Sequence, residues 1–143
     1  MPNHFHLLIY ADERTIQTVK IGNKDVNVFS YGFQNLLSSY TKAINKKFNR
    51  TGSLFTQNTK AKALVPVPDG SICFKYIHQN PLKANLVKDM KDWEFSSFQD
   101  YVGIRNGSLC NQTLAKQVLS FDKVQYFKTA YEMVLEDDAK RLF

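Results

Sequence analysis

Between Ser30 and Gly52, apolar residues recur at the spacing of one helix face. Phe33, Leu36, Leu37, Tyr40, Ile44 and Phe48 form a single stripe, and Lys42, Lys46 and Lys47 fall off it. This spacing predicts a helix with Ser30 as its N-cap that buries the stripe, Tyr40 included, and turns its ammonium groups to solvent. The run Asn49-Arg50-Thr51-Gly52 ends it. A chain of 143 residues that commits so much to one amphipathic helix must supply something for the stripe to pack on. The flanking sequence supplies candidates. Phe5 to Ala11 is apolar and strand-prone, and residues 4–11 read as a strand closed by the turn Asp12-Glu13-Arg14. Residues 15–29 alternate loosely about Gly22-Asn23 and read as a hairpin.

Further along, Leu54-Phe55 and the run 61–67 read as extended, with Pro66 and Pro68 closing the unit. A second helix is expected from Ser71 to about Gln79, stopped by Pro81. Ser96 or Ser97 caps a short helix ending near Tyr101, with Gly103 as its stop. The remainder reads as two helices broken near Ser120.

The formal charge is +6, and its distribution matters more than its size. No acidic residue occurs between Asp25 and Asp69, a window that holds Lys42, Lys46, Lys47, Arg50, Lys60 and Lys62. A basic segment of one sign suits a polyanion, most often nucleic acid; the plainer reading is a solvated basic face. No apolar run is long enough to span a membrane. The N-terminus lacks the pattern of an export signal, so the expectation is a cytoplasmic protein with Cys73 and Cys110 as reduced thiols.

Two patterns carry possible chemistry. In a strand, His4 and His6 would share a face, with Phe5 buried on the other, and two imidazoles side by side make half of a metal site. A bare His-x-His is more often the polar face of an ordinary strand. On the second helix, Tyr76 and Asn80 are four residues apart and share a face. Taken alone, they read as a packed tyrosine and a C-terminal asparagine. His78 points elsewhere on that helix and reads as exposed or facing DNA. Trp93, Phe95 and Phe98 read as core aromatics, with base stacking as the alternative.

Four motifs stand in one order: Met1-Pro2-Asn3-His4-Phe5-His6-Leu7-Leu8; Thr51-Gly52-Ser53-Leu54-Phe55; Tyr76-Ile77-His78-Gln79-Asn80-Pro81-Leu82-Lys83-Ala84; and Asp92-Trp93-Glu94-Phe95-Ser96-Ser97. In these the chain resembles the single-tyrosine HUH transposases, in particular the REP-associated tyrosine transposases, over residues 1 to about 103. The resemblance implies an α+β fold, a ferredoxin-like core with an antiparallel sheet. It implies a catalytic and DNA-binding domain over 1–103; beyond the resemblance, the helical pattern of 104–143 reads as a C-terminal extension packed on the same domain. It implies His4, His6 and Asn80 as ligands of Mg²⁺ or Mn²⁺, and Tyr76 as the nucleophile. The implied reaction is cleavage and strand transfer of single-stranded or hairpin DNA through a phosphotyrosine. Lys42, Lys46, Lys47, Arg50, Lys60 and Lys62 would contact DNA phosphates. In that family a strand and a helix precede the His-x-His strand, whereas this sequence starts at the motif. The expected core therefore lacks its first strand, and the exposed sheet edge predicts a homodimer. The alternative is a DNA-binding remnant that has lost turnover.

Overall fold

Gly22-Asn23 makes the tightest local decision in the chain. Gly22 has φ +60°, the left-handed conformation a two-residue hairpin loop demands. It joins β1 (Thr18–Ile21) to β2 (Lys24–Asn27) in antiparallel register, with Ile21 opposite Lys24 and Thr18 opposite Asn27. The structure is a computed structural model and describes residues 4–55, 59–132, 134, 137, 138 and 140, without the side chain of Pro66. Its architecture is mixed α/β: this two-stranded sheet with helices α1 (Val28–Lys47), α2 (Ser71–Lys83), α3 (Phe98–Tyr101), α4 (Gln112–Leu119) and α5 (Lys123–Thr129). The chain divides into two compact units. One is residues 9–61; the other joins residues 4–8 to the described part of 62–140.

In the 9–61 unit, β2 runs straight into α1. The N-cap is Asn27, not Ser30: the Asn27 carboxamide oxygen accepts from the Ser30 N–H at 3.0 Å. The helix therefore starts earlier than expected, because a carboxamide caps at least as well as a hydroxyl and the hairpin delivers Asn27 with extended backbone. Lys46 and Lys47 occupy the last turn, where cations complement the carbonyl end of the helix dipole. Asn45 Nδ2 donates to Gly52 O at 2.8 Å and folds the following loop back along the helix. The stripe is where expectation and structure part. No α1 residue is buried, and Tyr40 is 54% exposed, touching Phe55 at a ring separation of 6.3 Å. A two-stranded hairpin within this unit is too small to cover a 20-residue helix. The extended readings at residues 54–55 and 61–67 also fail to form strands.

In the other unit, α2 lies at the centre of the core. A wide turn, Pro66–Gly70, leads into it, closed by the Gly70 N–H donating to Val65 O at 2.9 Å. A Cβ on Gly70 would lie 3.0 Å from Leu119 Cδ2, so the missing side chain lets α4 approach. Phe74 of α2 sits among Tyr101, Tyr126 and Phe121, at ring separations of 4.7, 4.9 and 5.1 Å. Met90, Phe98, Leu119 and Ala130 complete the buried cluster. Each fully buried large side chain here contributes roughly 1.5–3 kcal/mol.

Helix α2 does not stop before Pro81 but runs to Lys83. The proline lies close enough to the C-terminus that only one backbone bond is lost. The chain then closes with Ala84 N–H on Asn80 O and Leu86 N–H on Pro81 O, both at 2.9 Å, through Asn85 at φ +54°. The short helix ending at Tyr101, the stop at Gly103 (φ +83°) and the break at Ser120 (φ +54°) match the sequence reading.

The expected strand over 4–11 is absent: residues 4–11 carry no regular secondary structure. A strand needs a ladder, and among the described residues β1 and β2 pair only with each other. Phe5, expected on a buried face, is 43% exposed, and Leu7, Leu8, Ile9 and Tyr10 are exposed with it.

Candidate functional site

Although residues 4–8 form no strand, they bring both histidines to a common place. The His4 and His6 rings stand 5.0 Å apart and perpendicular. Imidazoles that ligate one ion at about 2.1 Å in neighbouring positions have ring centres about 5 Å apart, so this separation suits a shared cation. His6 is half-buried, and its pKa is lowered by burial first and by His4 second, which favours the neutral ring a metal requires. The His6 ring also meets the ring of Tyr76, edge to face, at 6.3 Å. Residues from two distant parts of the sequence thus meet at one spot.

Tyr76, Asn80 and Lys83 follow each other along one face of α2, at i, i+4 and i+7. Asn80 is 8% exposed, and its Nδ2 has no hydrogen-bond partner among the described residues. Such an atom is costly to bury. Turning the carboxamide by half a rotation exchanges its nitrogen for its oxygen, a ligand for a hard cation. Two imidazoles and one carboxamide oxygen are donor types that the divalent ion implied by the family resemblance accepts. Among the described residues no group of three or more His, Cys, Asp or Glu gathers that could hold a metal ion.

Lys83 lies over the Tyr76 ring, its Nζ 5.3 Å from the centroid. The same ammonium donates to the carbonyl of Val134 at 3.0 Å. One turn earlier on α2, the Gln79 side chain takes the N–H of Val134 on its Oε1 at 3.1 Å. Gln79 Nε2 donates to the carbonyls of Ala130 and Glu132 at 2.8 and 2.7 Å, and the residue is 0% exposed. Lys75 Nζ adds an ion pair to Glu132 at 3.3 Å. Helix α2 thus grips the segment after α5 along its length.

His78 is not at the surface and does not face a ligand; it is 2% exposed. Its Nδ1 meets the Tyr126 hydroxyl at 2.5 Å and its Nε2 meets Ser97 Oγ at 2.9 Å. Phe74, Phe98, Tyr101 and Tyr126 surround the ring, and burial pushes its pKa down to about 3. Both hydroxyls can donate or accept, so either neutral tautomer is satisfied. Of the aromatics after α2, Phe98 is core, Trp93 is half-buried and Phe95 is exposed.

The basic residues Lys42, Lys46, Lys47, Arg50 and Lys60 are exposed in the 9–61 unit, and Lys62 is exposed in the other. Lys47 Nζ rests 5.4 Å from the centre of the exposed Phe48 ring. Nothing in the sequence pattern marks Gln79 as a site residue. Lys83 has one usable signal in the sequence, its place seven residues after Tyr76 on the same helix face. Among the described residues no helix is long and apolar enough to cross a membrane. No family model, curated protein or solved structure matches the chain.

Proposed function

We propose that the chain is a transposase-like enzyme of the single-tyrosine HUH type. It cuts single-stranded or hairpin DNA and transfers the strand through a phosphotyrosine. The observation that carries this reading is the meeting of the His4 and His6 pair with Tyr76, whose helix also presents the orphaned Asn80 amide. Tyr76 Oη forms a bond to phosphorus as the P–O3′ bond breaks. The phenol proton passes to solvent, and the departing O3′ takes one up as a free 3′-hydroxyl. Attack by a 3′-hydroxyl on the phosphotyrosine reverses the step, so strand transfer needs no external energy. His4, His6 and Asn80 would hold Mg²⁺ or Mn²⁺, which supplies Lewis-acid polarisation of the phosphate. Lys42, Lys46, Lys47, Arg50, Lys60 and Lys62 bind backbone phosphates. The reading places the protein in the cytoplasm and its fold among ferredoxin-like cores. The apolar run 4–11 then becomes a strand when it gains a partner, and a second copy is the proposed source, giving a homodimer.

The test is a covalent adduct. Protein incubated with labelled hairpin DNA and Mn²⁺ is expected to yield a DNA-linked band on a denaturing gel that vanishes in Tyr76→Phe. An adduct that survives Tyr76→Phe overturns the role of Tyr76. One observation favours a second reading, a DNA-binding remnant: the histidines sit on an irregular, exposed segment and not on a rigid strand. That reading expects salt-sensitive binding to single strands and no adduct.

A further inference from the structure

We infer that Lys83 is the charge partner of Tyr76, a cation fixed beside the nucleophile to stabilise the negative charge that grows on its oxygen during attack. The inference rests on the proposed function. A surface lysine samples many rotamers and gives up about 2 kcal/mol of side-chain entropy when held. Here the holding has been built in. Gln79 and Lys83, one turn apart on α2, take the N–H and the C=O of the same residue, Val134. That grip leaves the ammonium over the Tyr76 ring, 5.3 Å from its centre. Gln79 in turn is fixed by two further backbone carbonyls and is fully buried. The arrangement therefore sets a positive charge in place before substrate arrives, where it does not have to reorganise as the reaction proceeds.

The charge can act at one point of the cycle and leave others untouched. Before attack, a cation over the face of the Tyr76 ring contributes only a weak attraction. As the Oη–P bond forms and the phenol proton leaves to solvent, anionic character spreads over the phenol oxygen and the phosphate. Two unit charges about 6 Å apart at an effective dielectric near 20 attract by enough to change a rate on the order of 100-fold. An interaction that strengthens only in the transition state changes the rate at saturation, not the binding of DNA.

The experiment follows adduct formation with labelled hairpin DNA and Mn²⁺ in the wild type, Lys83→Ala, Lys83→Arg and Lys75→Ala. Lys83→Ala is expected to slow the reaction at saturating DNA on the order of 100-fold. The DNA concentration for half-saturation should stay within about threefold. Lys83→Arg should retain most of the rate, and added methylammonium should restore part of it to Lys83→Ala. Lys75→Ala removes a different tie to the same segment and should react like wild type, which separates a charge effect from a loosened C-terminus. Thermal melting of each variant checks that all are folded. A Lys83→Ala protein that reacts at the wild-type rate overturns the inference. So does a loss confined to half-saturation, or a loss shared equally by Lys75→Ala. If the wild type forms no Tyr76-dependent adduct, the proposed function itself fails and this inference falls with it. A wild-type adduct beside a fully active Lys83→Ala refutes Lys83 alone.

Discussion

Acidification should unfold this protein through His78 before it does so through the carboxylates. The imidazole is 2% exposed, ringed by four aromatic side chains, and its pKa in the fold is about 3. In the unfolded chain it returns to about 6.5. Between those two values the unfolded state binds a proton that the native state refuses, so stability falls as pH falls. The loss is about 1.4 kcal/mol per pH unit. From about pH 7 to about pH 5 it comes to roughly 2 kcal/mol, a large fraction of a typical total stability of about 5–15 kcal/mol. The carboxylates are not yet involved: Asp12, Asp89 and Asp100 have lowered pKa values, and the stability this gives is lost only as pH falls toward and below the unfolded value of about 3.9. His6 shifts in the same direction and acts in the same window, so the comparison needs a variant at position 78. Urea unfolding of the wild type and of His78→Gln at both pH values isolates the term. His78→Gln is less stable at neutral pH but should lose markedly less on acidification. If wild type and variant lose the same stability between the two pH values, the buried neutral imidazole is not the cause and the reasoning is refuted.

Other substitutions probe the same unit. Asp100 accepts from Arg105 Nε and Nη2 at 2.8 and 2.7 Å and from the Gly107 N–H at 2.8 Å, and a Cβ on Gly107 would lie 2.7 Å from its Oδ1. Gly107→Ala should therefore destabilise by roughly 1–3 kcal/mol in urea unfolding, through a displaced carboxylate. Ser120 closes α4 at φ +54°, so Ser120→Gly should raise the melting temperature, adding up to about 1 kcal/mol. Gln79→Leu strips partners from three backbone groups and should cost roughly 2–4 kcal/mol, with hydrogen exchange accelerated at the Val134 N–H. Replacing His4 and His6 together with alanine should weaken Mn²⁺ binding at least tenfold by titration calorimetry.

Local signals in the sequence hold where the structure they set is also local. Gly22 fixes its hairpin loop, and Ser120 separates α4 from α5, because a φ preference acts on its own residue. Helical spacing alone puts Tyr76 and Asn80 on one face of α2. The features that differ from the sequence pattern share a dependence on partners remote in sequence. His78 reads as a surface residue because nothing near it in sequence announces that Ser97 and Tyr126 meet its two nitrogens. Residues 4–11 have strand composition, but a strand is a property of two segments, and no described segment pairs with this one. The α1 stripe has the right period, yet periodicity states which face would be buried and not whether anything covers it.

The grip of α2 on Val134 also bears on the order in which the protein can be made. During synthesis the helix carrying Tyr76 leaves the ribosome well before the residues that fasten it. Until Tyr126 has arrived for His78 Nδ1, and Ala130, Glu132 and Val134 for Gln79, an imidazole nitrogen and a carboxamide of α2 lack the partners they have in the finished fold. Its final packing is therefore a late event of long sequence separation, and a nascent chain arrested before residue 134 would carry the tyrosine but not its seat.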